Sequence, residues 1–487
     1  MNIAEAKEEI KRTVSVYLKK DEYGNYRIPG HRQRPIFLLG APGIGKTAIM
    51  KQIAGELNIG LVSYSMIHHT RQSALGLPYI TEKEYGGKTV SVSEYTMSEI
   101  IASVYNMIAE SGVEEGILFL DEVNCVSETL APAMLQFLQF KTFGSHALPE
   151  GWIVVTAGNP PEFNRSARRF DIVTLDRLKV MRVDADQAAW NRYAYENGVH
   201  GSILAYLALK KADFCAVETS VDGSSFVTPR GWDDLSLMMR EYEGADMEID
   251  ETLIGQYIGN QRIAKDFAAY YQLYRKYRSD YRIHEILQGR YDDALCTQAA
   301  AAGFDERISL LGLLIAAMNE KMNEISAREA EMETRFSALK EIKTKTAEEG
   351  KTEEEIIAEE TVSLERRLAG HRRSSALSEE EQTALRQALV KLKEHRSYGE
   401  LKGSFKADVD ALGEFAEEAK GALEQLFLFT EKAFGEGNEM LFLVTELTAN
   451  RKAVAFIGKY GCEGYFSHHR KVLFYDRKKE IEEALNA

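Results

Sequence analysis

Eight residues near the start of the sequence, Gly-Ala-Pro-Gly-Ile-Gly-Lys-Thr at positions 40–47, set narrow limits on the structure of this 487-residue chain. An apolar run at residues 36–39 precedes them and a helical pattern at residues 48–57 follows, which predicts a strand, a tight loop and a helix in succession. Glycines let such a loop curl so that its N–H groups point inward, and the helix N-terminus adds a positive dipole. The segment is therefore predicted to bind phosphate groups.

Two side chains of this loop are suited to a nucleotide. Lys46 offers a full positive charge to β- and γ-phosphates, and the Thr47 hydroxyl is a hard oxygen ligand for Mg²⁺. We predict ATP and Mg²⁺ as cofactors, because the sequence lacks the Asn/Thr-Lys-x-Asp stretch of guanine-specific GTPases. The residues predicted to contact the nucleotide are Gly40, Ala41, Pro42, Gly43, Ile44, Gly45, Lys46, Thr47 and Ala48.

Four further apolar runs of strand length follow the run at residues 36–39. They lie at residues 61–64, 117–120, 153–156 and 180–183. The segments between them are long enough for crossover helices, which is typical of a parallel α/β sheet. We therefore predict an α/β fold with a phosphate-binding loop and a parallel five-stranded sheet.

Polar side chains follow two of these runs at the points where the strands end. Asp121 and Glu122 come directly after the run at residues 117–120, and Asn159 follows the run at residues 153–156. Carboxyl ends of parallel strands meet at one edge of a sheet, so we expect Asp121 beside Thr47, holding Mg²⁺, and Glu122 polarising the attacking water. The Asn159 amide can donate and accept hydrogen bonds, which suits orienting that water. The alternatives are two solvated acids and an ordinary Gly-Asn-Pro-Pro turn.

Five motifs, in this order, make the chain resemble AAA+ ATPases and, among them, the MoxR-type group. They are GAPGIGKT, LFLDEVN, TAGNPP, LDRL at residues 175–178 and TPRGW at residues 228–232. The resemblance covers roughly residues 30–245. It implies a nucleotide-binding core followed by a helical lid.

The resemblance also implies roles for individual residues. Asp121 and Glu122 match the Walker B pair, Asn159 matches sensor 1, and Arg230 matches sensor 2. Arg177 matches the arginine finger, which reaches the nucleotide of a neighbouring subunit.

Three arginines compete for the finger role. Arg168 and Arg169 are rivals of Arg177, and for each of them a surface salt bridge is the alternative.

Arg230 is expected at the start of a lid helix, because Thr228 is a suitable N-cap and Pro229 suits the first helical position.

The implied function is Mg²⁺-dependent ATP hydrolysis by a hexameric ring of identical chains. Such a ring would remodel a protein client in a chaperone-like way, often beside a partner with a von Willebrand A-type domain. Two alternatives stay open: a nucleic-acid-stimulated motor or loader, and a nucleotide-gated scaffold with negligible turnover. The net charge of −15 argues against general affinity for nucleic acid, and the intact Glu122 argues against a scaffold.

Three domains are predicted. They are a nucleotide-binding core at residues 1–185, a helical lid at residues 186–280 and a mostly helical C-terminal region at residues 281–487. Almost no strand signal is present beyond residue 186, and helices are predicted at residues 187–197, 232–242 and 251–277. The charged stretch at residues 320–368 predicts a solvated helix or helical hairpin, with a linker around residues 344–352 as the alternative.

Five features bear on the setting of the protein and on its match to the family. The charged first residues indicate no signal peptide, and the longest apolar run, residues 308–318, is too short to span a membrane. The cysteines form no Cys-x-x-Cys pair, which fits a reducing, cytoplasmic setting. Cys125 stands where MoxR-type proteins usually have an arginine, so a contact made by that arginine is absent or relocated. Residues 70–79 match an insert that faces the ring pore; the alternative is a packed connecting loop.

Overall fold

The computed structural model describes residues 1–164, 166–220, 223–348, 352–374 and 379–470. The chain divides into two compact units. The first consists of residues 1–186 and 362–382, and the second of residues 187–361 and the chain from residue 383 onward. The predicted three-domain organisation stays a prediction.

The part of the chain up to residue 186 alternates strands and helices. The strands are β1 (Ile36–Gly40), β2 (Gly60–Ser65), β3 (Pro78–Tyr85), β4 (Lys88–Tyr95), β5 (Gly116–Asp121), β6 (Thr142–Phe143), β7 (His146–Ala147), β8 (Trp152–Gly158) and β9 (Lys179–Val183). The helices are α1 (Ile3–Tyr17), α2 (Lys46–Leu57), α3 (Arg71–Leu75), α4 (Glu99–Ser111), α5 (Ala131–Phe140) and α6 (Ile172–Leu175).

Five of these strands form one parallel sheet in the order β2-β5-β8-β1-β9. They coincide with the five predicted apolar runs, so the predicted fold class is confirmed. Side chains alternate between the two faces of the sheet. Ile117 and Phe119 pack in a core with residues of α1 and α2, whereas Leu118 and Leu120 pack in a second core with residues of α4 and α5.

An antiparallel hairpin, β3–β4, interrupts the alternation between β2 and α4. Its side chains are almost all exposed, and Ile80 reaches 79% exposure. No burial pattern therefore marks these strands in the sequence. The available signal is the pair Gly86–Gly87, whose positive φ values of 56° and 79° suit a two-residue hairpin turn. The predicted insert at residues 70–79 forms α3 and the beginning of β3.

The chain beyond residue 186 is mostly helical. Its helices are α7 (Gln187–Glu196), α8 (Gly201–Leu209), α9 (Pro229–Gly244), α10 (Glu251–Tyr257), α11 (Gln261–Asp280), α12 (Ile283–Leu287), α13 (Asp293–Ala301), α14 (Phe304–Glu348), α15 (Glu353–Ser374), α16 (Glu379–Lys393), α17 (Tyr398–Phe434), α18 (Asn438–Ala449) and α19 (Arg451–Tyr460). Its strands are β10 (Ala216–Ser220) and β11 (Gly223–Val227). No helix in the described ranges has the length and apolar character needed to cross a membrane.

Two features of this part of the chain were not predicted. The first is the antiparallel hairpin of β10 and β11, which is too short to give a long apolar run. The second is a break within the stretch at residues 251–277, which was predicted to be helical. The helix is broken between α10 and α11, where the Asn260 side chain caps α11 by accepting a hydrogen bond from the Ile263 N–H at 3.2 Å.

The charged stretch at residues 320–368 is helical in α14 up to Glu348 and in α15 from Glu353. Residues 349–351, which belong to the predicted linker at residues 344–352, lie outside the described residues. In α14 the buried Arg335 donates a hydrogen bond to Asp408 of α17 at 2.6 Å. This ion pair ties the two longest helices of the described chain together.

Substitution of Trp232 on α9 tests the packing of the core of the second unit. Its side chain is fully buried, and its indole N–H donates to the carbonyls of Asp213 and Phe214 at 3.3 and 3.2 Å. We expect Trp232→Ala to destabilise this unit by about 3–5 kcal/mol, because it leaves a large cavity and two carbonyls without their donor. Urea denaturation followed by circular dichroism measures the change. The control Leu237→Ala, on the exposed face of α9, should change stability by less than about 0.5 kcal/mol. Equal midpoints for the two variants would contradict this packing.

Candidate functional site

The loop between β1 and α2 places a lysine under the carboxyl edge of the sheet. Gly45 is the N-cap of α2 with a φ of 94°, a left-handed conformation that favours glycine. Lys46, the next residue, is 7% exposed. Its ammonium group donates to the carbonyls of Gly40 and Ala41 at 2.8 and 2.7 Å. It also donates to the Asn159 side-chain oxygen at 2.9 Å, so the loop and the end of β8 meet at Lys46.

Thr47 and Asp121 also meet at this edge. The Thr47 hydroxyl donates to a carboxylate oxygen of Asp121 at 2.7 Å, and the other carboxylate oxygen accepts the backbone N–H of Glu122 at 2.9 Å. A hydroxyl and a carboxylate are the oxygen ligands that a hard cation prefers. In the described part of the chain no cluster of three or more His, Cys, Asp or Glu side chains could hold a metal ion. The hydroxyl–carboxylate pair of Thr47 and Asp121 fits Mg²⁺, because this ion commonly takes one or two protein ligands and completes its shell with phosphates and water.

Glu122 follows Asp121 in a left-handed conformation, with φ at 56°. One of its carboxylate oxygens accepts a hydrogen bond from the Ser65 hydroxyl at 2.8 Å. Ser65 ends β2 and pairs in register with Asp121. Ser65 was not predicted as part of the site, although its position at the end of a neighbouring strand was a signal. The contact holds the Glu122 carboxylate at the sheet edge.

Asn124 connects the ends of β5 and β8. It is 3% exposed, and its side-chain amide donates to the carbonyls of Asn159 at 2.8 Å and Arg168 at 3.3 Å. A Cβ at Gly158 would lie 2.3 Å from the Asn124 side-chain oxygen, so glycine is required there for this close approach. Asn124 belongs to the LFLDEVN motif, yet its role as a brace depends on the tertiary fold and was not predicted.

The three candidate arginines differ in their partners. Arg168 pairs with Glu128 at 2.9 Å and Arg169 pairs with Glu162 at 2.8 Å. Arg177, exposed in the turn between α6 and β9, has a guanidinium that makes no hydrogen bond or ion pair with any described residue. Both rivals thus match the salt-bridge alternative, whereas Arg177 has donors available for a partner outside its own chain.

Arg230 lies in the second unit, in the first turn of α9. The Thr228 hydroxyl caps this helix by accepting the Gly231 N–H at 3.3 Å, and Pro229 occupies the first turn. This is the capping geometry predicted from the sequence. The Arg230 side chain is exposed.

Cys125 is buried beneath the acidic strand end. Its sulfur accepts a hydrogen bond from the Asn164 amide at 3.3 Å. Burial raises the pKa of the thiol, and the nearby charges of Glu122 and Asp121 raise it further. The side chain is therefore a neutral thiol and supplies none of the positive charge that an arginine would bring to this position.

The comparisons with known proteins agree with this geometry. A protein-family model described as "ATPase family associated with various cellular activities (AAA)" matches residues 36–176. The match begins at β1 and ends just before Arg177, so it includes the phosphate-binding loop and the ends of β5 and β8. No curated protein sequence matches the chain.

Asn124→Asp tests the brace between β5 and β8. The change keeps the size of the side chain but replaces the amide donor with a carboxylate oxygen that faces two carbonyl oxygens. We expect a loss of about 1–3 kcal/mol in stability, measured as a lower melting temperature by calorimetry. Asn106→Asp, at an exposed position of α4, is the matched control and should melt like the unmodified protein. A brace of this kind is contradicted if both variants melt at the same temperature.

Proposed function

We propose, from the premise that the chain is an ATPase with a match to the AAA family model at residues 36–176, that the described sheet edge hydrolyses ATP by attack of water on the γ-phosphate. The observation that carries this proposal is the convergence of Lys46, Thr47 and Asp121 with Asn159 through contacts of 2.7–2.9 Å. A cation, a hydroxyl–carboxylate pair and a polar amide are the groups that phosphoryl transfer to water requires.

Residues 40–48 would hold the phosphates through their backbone N–H groups and the Lys46 ammonium. That ammonium now donates to neutral carbonyls, and a charged phosphate oxygen is a stronger acceptor. Thr47 and Asp121 would hold Mg²⁺, which supplies positive charge to the phosphates when bound.

Glu122 is proposed to take a proton from the attacking water. Its carboxylate stands one residue beyond the metal-binding Asp121 and is oriented by the Ser65 hydroxyl. Asn159 is proposed to align the water, because its amide reaches Lys46 and can also donate a hydrogen bond. We propose that Arg230 contacts phosphate in its own subunit, as its position in the first turn of a capped helix suggests.

We further propose that the protein is of the MoxR type and works as a ring of identical chains, a hexamer by resemblance. Arg177 supports this step, because it is exposed and makes no ion pair with a described residue. Charge developing on the γ-phosphoryl oxygens calls for a guanidinium, and Arg177 would provide it to the nucleotide of the next subunit. Arg168 and Arg169 are less suited, because Glu128 and Glu162 engage them.

The ring is proposed to remodel a protein client, or a partner with a von Willebrand A-type domain. The hairpin β3–β4 supports this role, because its apolar side chains face solvent. Tyr79, Ile80, Tyr85 and Val90 are 44%, 79%, 58% and 47% exposed. Neighbouring exposed apolar side chains mark surfaces that bind other proteins, and Tyr79, Tyr85 and Val90 lie on one face of the hairpin. A cytoplasmic setting is proposed from the four free cysteines.

Glu122→Gln tests the proposed base. The variant keeps the shape of the side chain but cannot accept a proton from water. We expect turnover to fall about 10²–10⁴-fold while ATP binding, measured by calorimetry, is retained. Glu110→Gln, an exposed position of α4, is the control and should hydrolyse ATP normally. Near-normal hydrolysis by Glu122→Gln would remove Glu122 from the mechanism.

Mixing two inactive variants tests the role of Arg177 across subunits. Lys46→Ala lacks a functional phosphate site but keeps Arg177, whereas Arg177→Ala keeps the phosphate site. Each alone should be inactive. An equal mixture should regain up to about a quarter of normal turnover, since that fraction of randomly formed interfaces pairs an intact phosphate site with an intact arginine.

Turnover of Arg169→Ala, assayed alone beside Arg177→Ala, separates the two candidate arginines. Arg169→Ala alone should hydrolyse ATP at a near-normal rate, because its guanidinium serves a surface ion pair. Normal turnover by Arg177→Ala together with loss of turnover in Arg169→Ala would reverse the assignment.

A further inference from the structure

A cavity of about 520 Å³ lies within the second unit, among helices that the nucleotide chemistry does not use. Its wall is formed by the end of α7, the start of α8 and the segment between them, by α9, α11 and α14, and by the residues around the start of α12. Part of this wall is apolar, with Leu204, Leu313 and Ala316 facing the space. The volume is within the range of sites that bind small organic molecules.

Three arginines from separate elements line this cavity. They are Arg240 on α9, Arg278 on α11 and Arg282 just before α12. The Arg240 guanidinium forms no ion pair with a described residue. Arg278 is 3.9 Å from a Glu243 oxygen, and Arg282 is 3.3 Å from Glu285. Planar guanidinium groups bind carboxylates and phosphates through paired hydrogen bonds.

Glu243 offsets part of this positive charge. One oxygen of its carboxylate accepts a hydrogen bond from the Tyr271 hydroxyl at 2.8 Å and lies 3.3 Å from the His200 ring nitrogen. The contact with His200, more than any other, lowers the pKa of Glu243 to about 2, so the carboxylate is ionised. Its other oxygen lies 3.9 Å from Arg278, so Glu243 balances part of the charge of Arg278 and leaves that of Arg240. Glu320, at the exposed side of the cavity, is the remaining acid without an ion pair among the described residues that line it.

Two polar atoms of the wall have no hydrogen-bond partner among the described residues. Tyr274 is 4% exposed, yet its hydroxyl makes no hydrogen bond with any of these residues. The Asn323 side-chain oxygen is buried and receives no donor from them. The Asn323 amide nitrogen and an Arg240 nitrogen lie 4.0 and 3.3 Å from the position of a Cβ on Gly198, so the two side chains approach the same part of the wall. Buried polar groups in proteins are rarely left unpaired, so a polar ligand in the cavity can supply the missing partner.

We propose that this cavity binds a small organic anion, either a carboxylate or a phosphate ester, that also carries a hydroxyl or amino group. Arg240 and Arg278 bind the anionic group, and the Tyr274 hydroxyl donates to it. The hydroxyl or amino group of the ligand donates to Asn323. None of these residues belongs to the proposed nucleotide site.

Calorimetric titration of the full chain tests this site with three probes. Citrate is a carboxylate with a hydroxyl, 3-phosphoglycerate is a phosphate ester with a hydroxyl, and inorganic phosphate is an anion without a carbon body. We expect saturable binding of citrate or 3-phosphoglycerate, tighter than that of inorganic phosphate. The stronger of the two organic probes identifies the class of anion. Absence of saturable binding for both overturns the proposal.

Variants then locate the bound probe. Arg240→Ala should weaken its binding at least about tenfold, because a charge-assisted hydrogen-bond pair is lost. Arg275→Ala, on the same helix as Arg278 but outside the cavity wall, should bind normally. Lys46→Ala should also bind normally, which separates this site from the phosphate-binding loop. Normal binding by Arg240→Ala overturns the assignment.

Glu320→Gln gives an independent test of the sign of the ligand's charge. Removing this carboxylate from the edge of the cavity should strengthen the binding of an anion. Weaker binding in Glu320→Gln would mean that the site prefers a cation, and would overturn the proposal.

Discussion

The hydrogen bonds of the Lys46 ammonium are the interaction on which the organisation of the sheet edge depends. A nearly buried cation is costly unless oxygen atoms surround it. Here those atoms come from the loop after β1 and from Asn159 after β8. Because β8 lies between β1 and β5, the same edge also receives Asp121 and Glu122 from the end of β5. Sheet order therefore determines which side chains can act together.

Four arginines of the described chain show two different situations of a guanidinium group. Arg335 and Arg168 have acidic partners at 2.6 and 2.9 Å and serve the fold or the surface. Arg177 and Arg240 are exposed and make no ion pair with described residues. A guanidinium group without an ion pair can bind an external anion, and the roles proposed for Arg177 and Arg240 depend on this property. Helix α9 begins at Pro229 and carries Arg230 in its first turn and Arg240 ten residues later, so two of the proposed anion contacts lie about 15 Å apart along one helix.

Much of the fold could be predicted from the sequence because its signals are local. Apolar runs located all five strands of the parallel sheet, and the glycines of residues 40–47 located the loop. The hairpins β3–β4 and β10–β11 were missed, since exposed or short antiparallel strands leave no long apolar run. The break between α10 and α11 depends on a single cap at Asn260, and helical periodicity alone does not reveal it.

The candidate site was predictable only in part, for a related reason. Lys46, Thr47, Asp121 and Asn159 follow strands or begin helices, and the structure brings them together at one edge. Their catalytic roles stay predictions. Ser65 and Asn124 act through contacts that depend on strand register and on the close approach at Gly158, which no local pattern encodes. The cavity with Arg240 was beyond prediction, because its wall combines segments from five parts of the chain.

The most direct test of a nucleotide site shared between subunits is the ATP turnover per chain over a wide range of protein concentrations, with Lys46→Ala as the blank. Sedimentation of the same samples gives the assembly state. A site completed by Arg177 of a neighbour predicts that turnover per chain rises steeply as chains associate and then reaches a plateau. Constant turnover per chain, down to concentrations at which sedimentation finds only single chains, would contradict it.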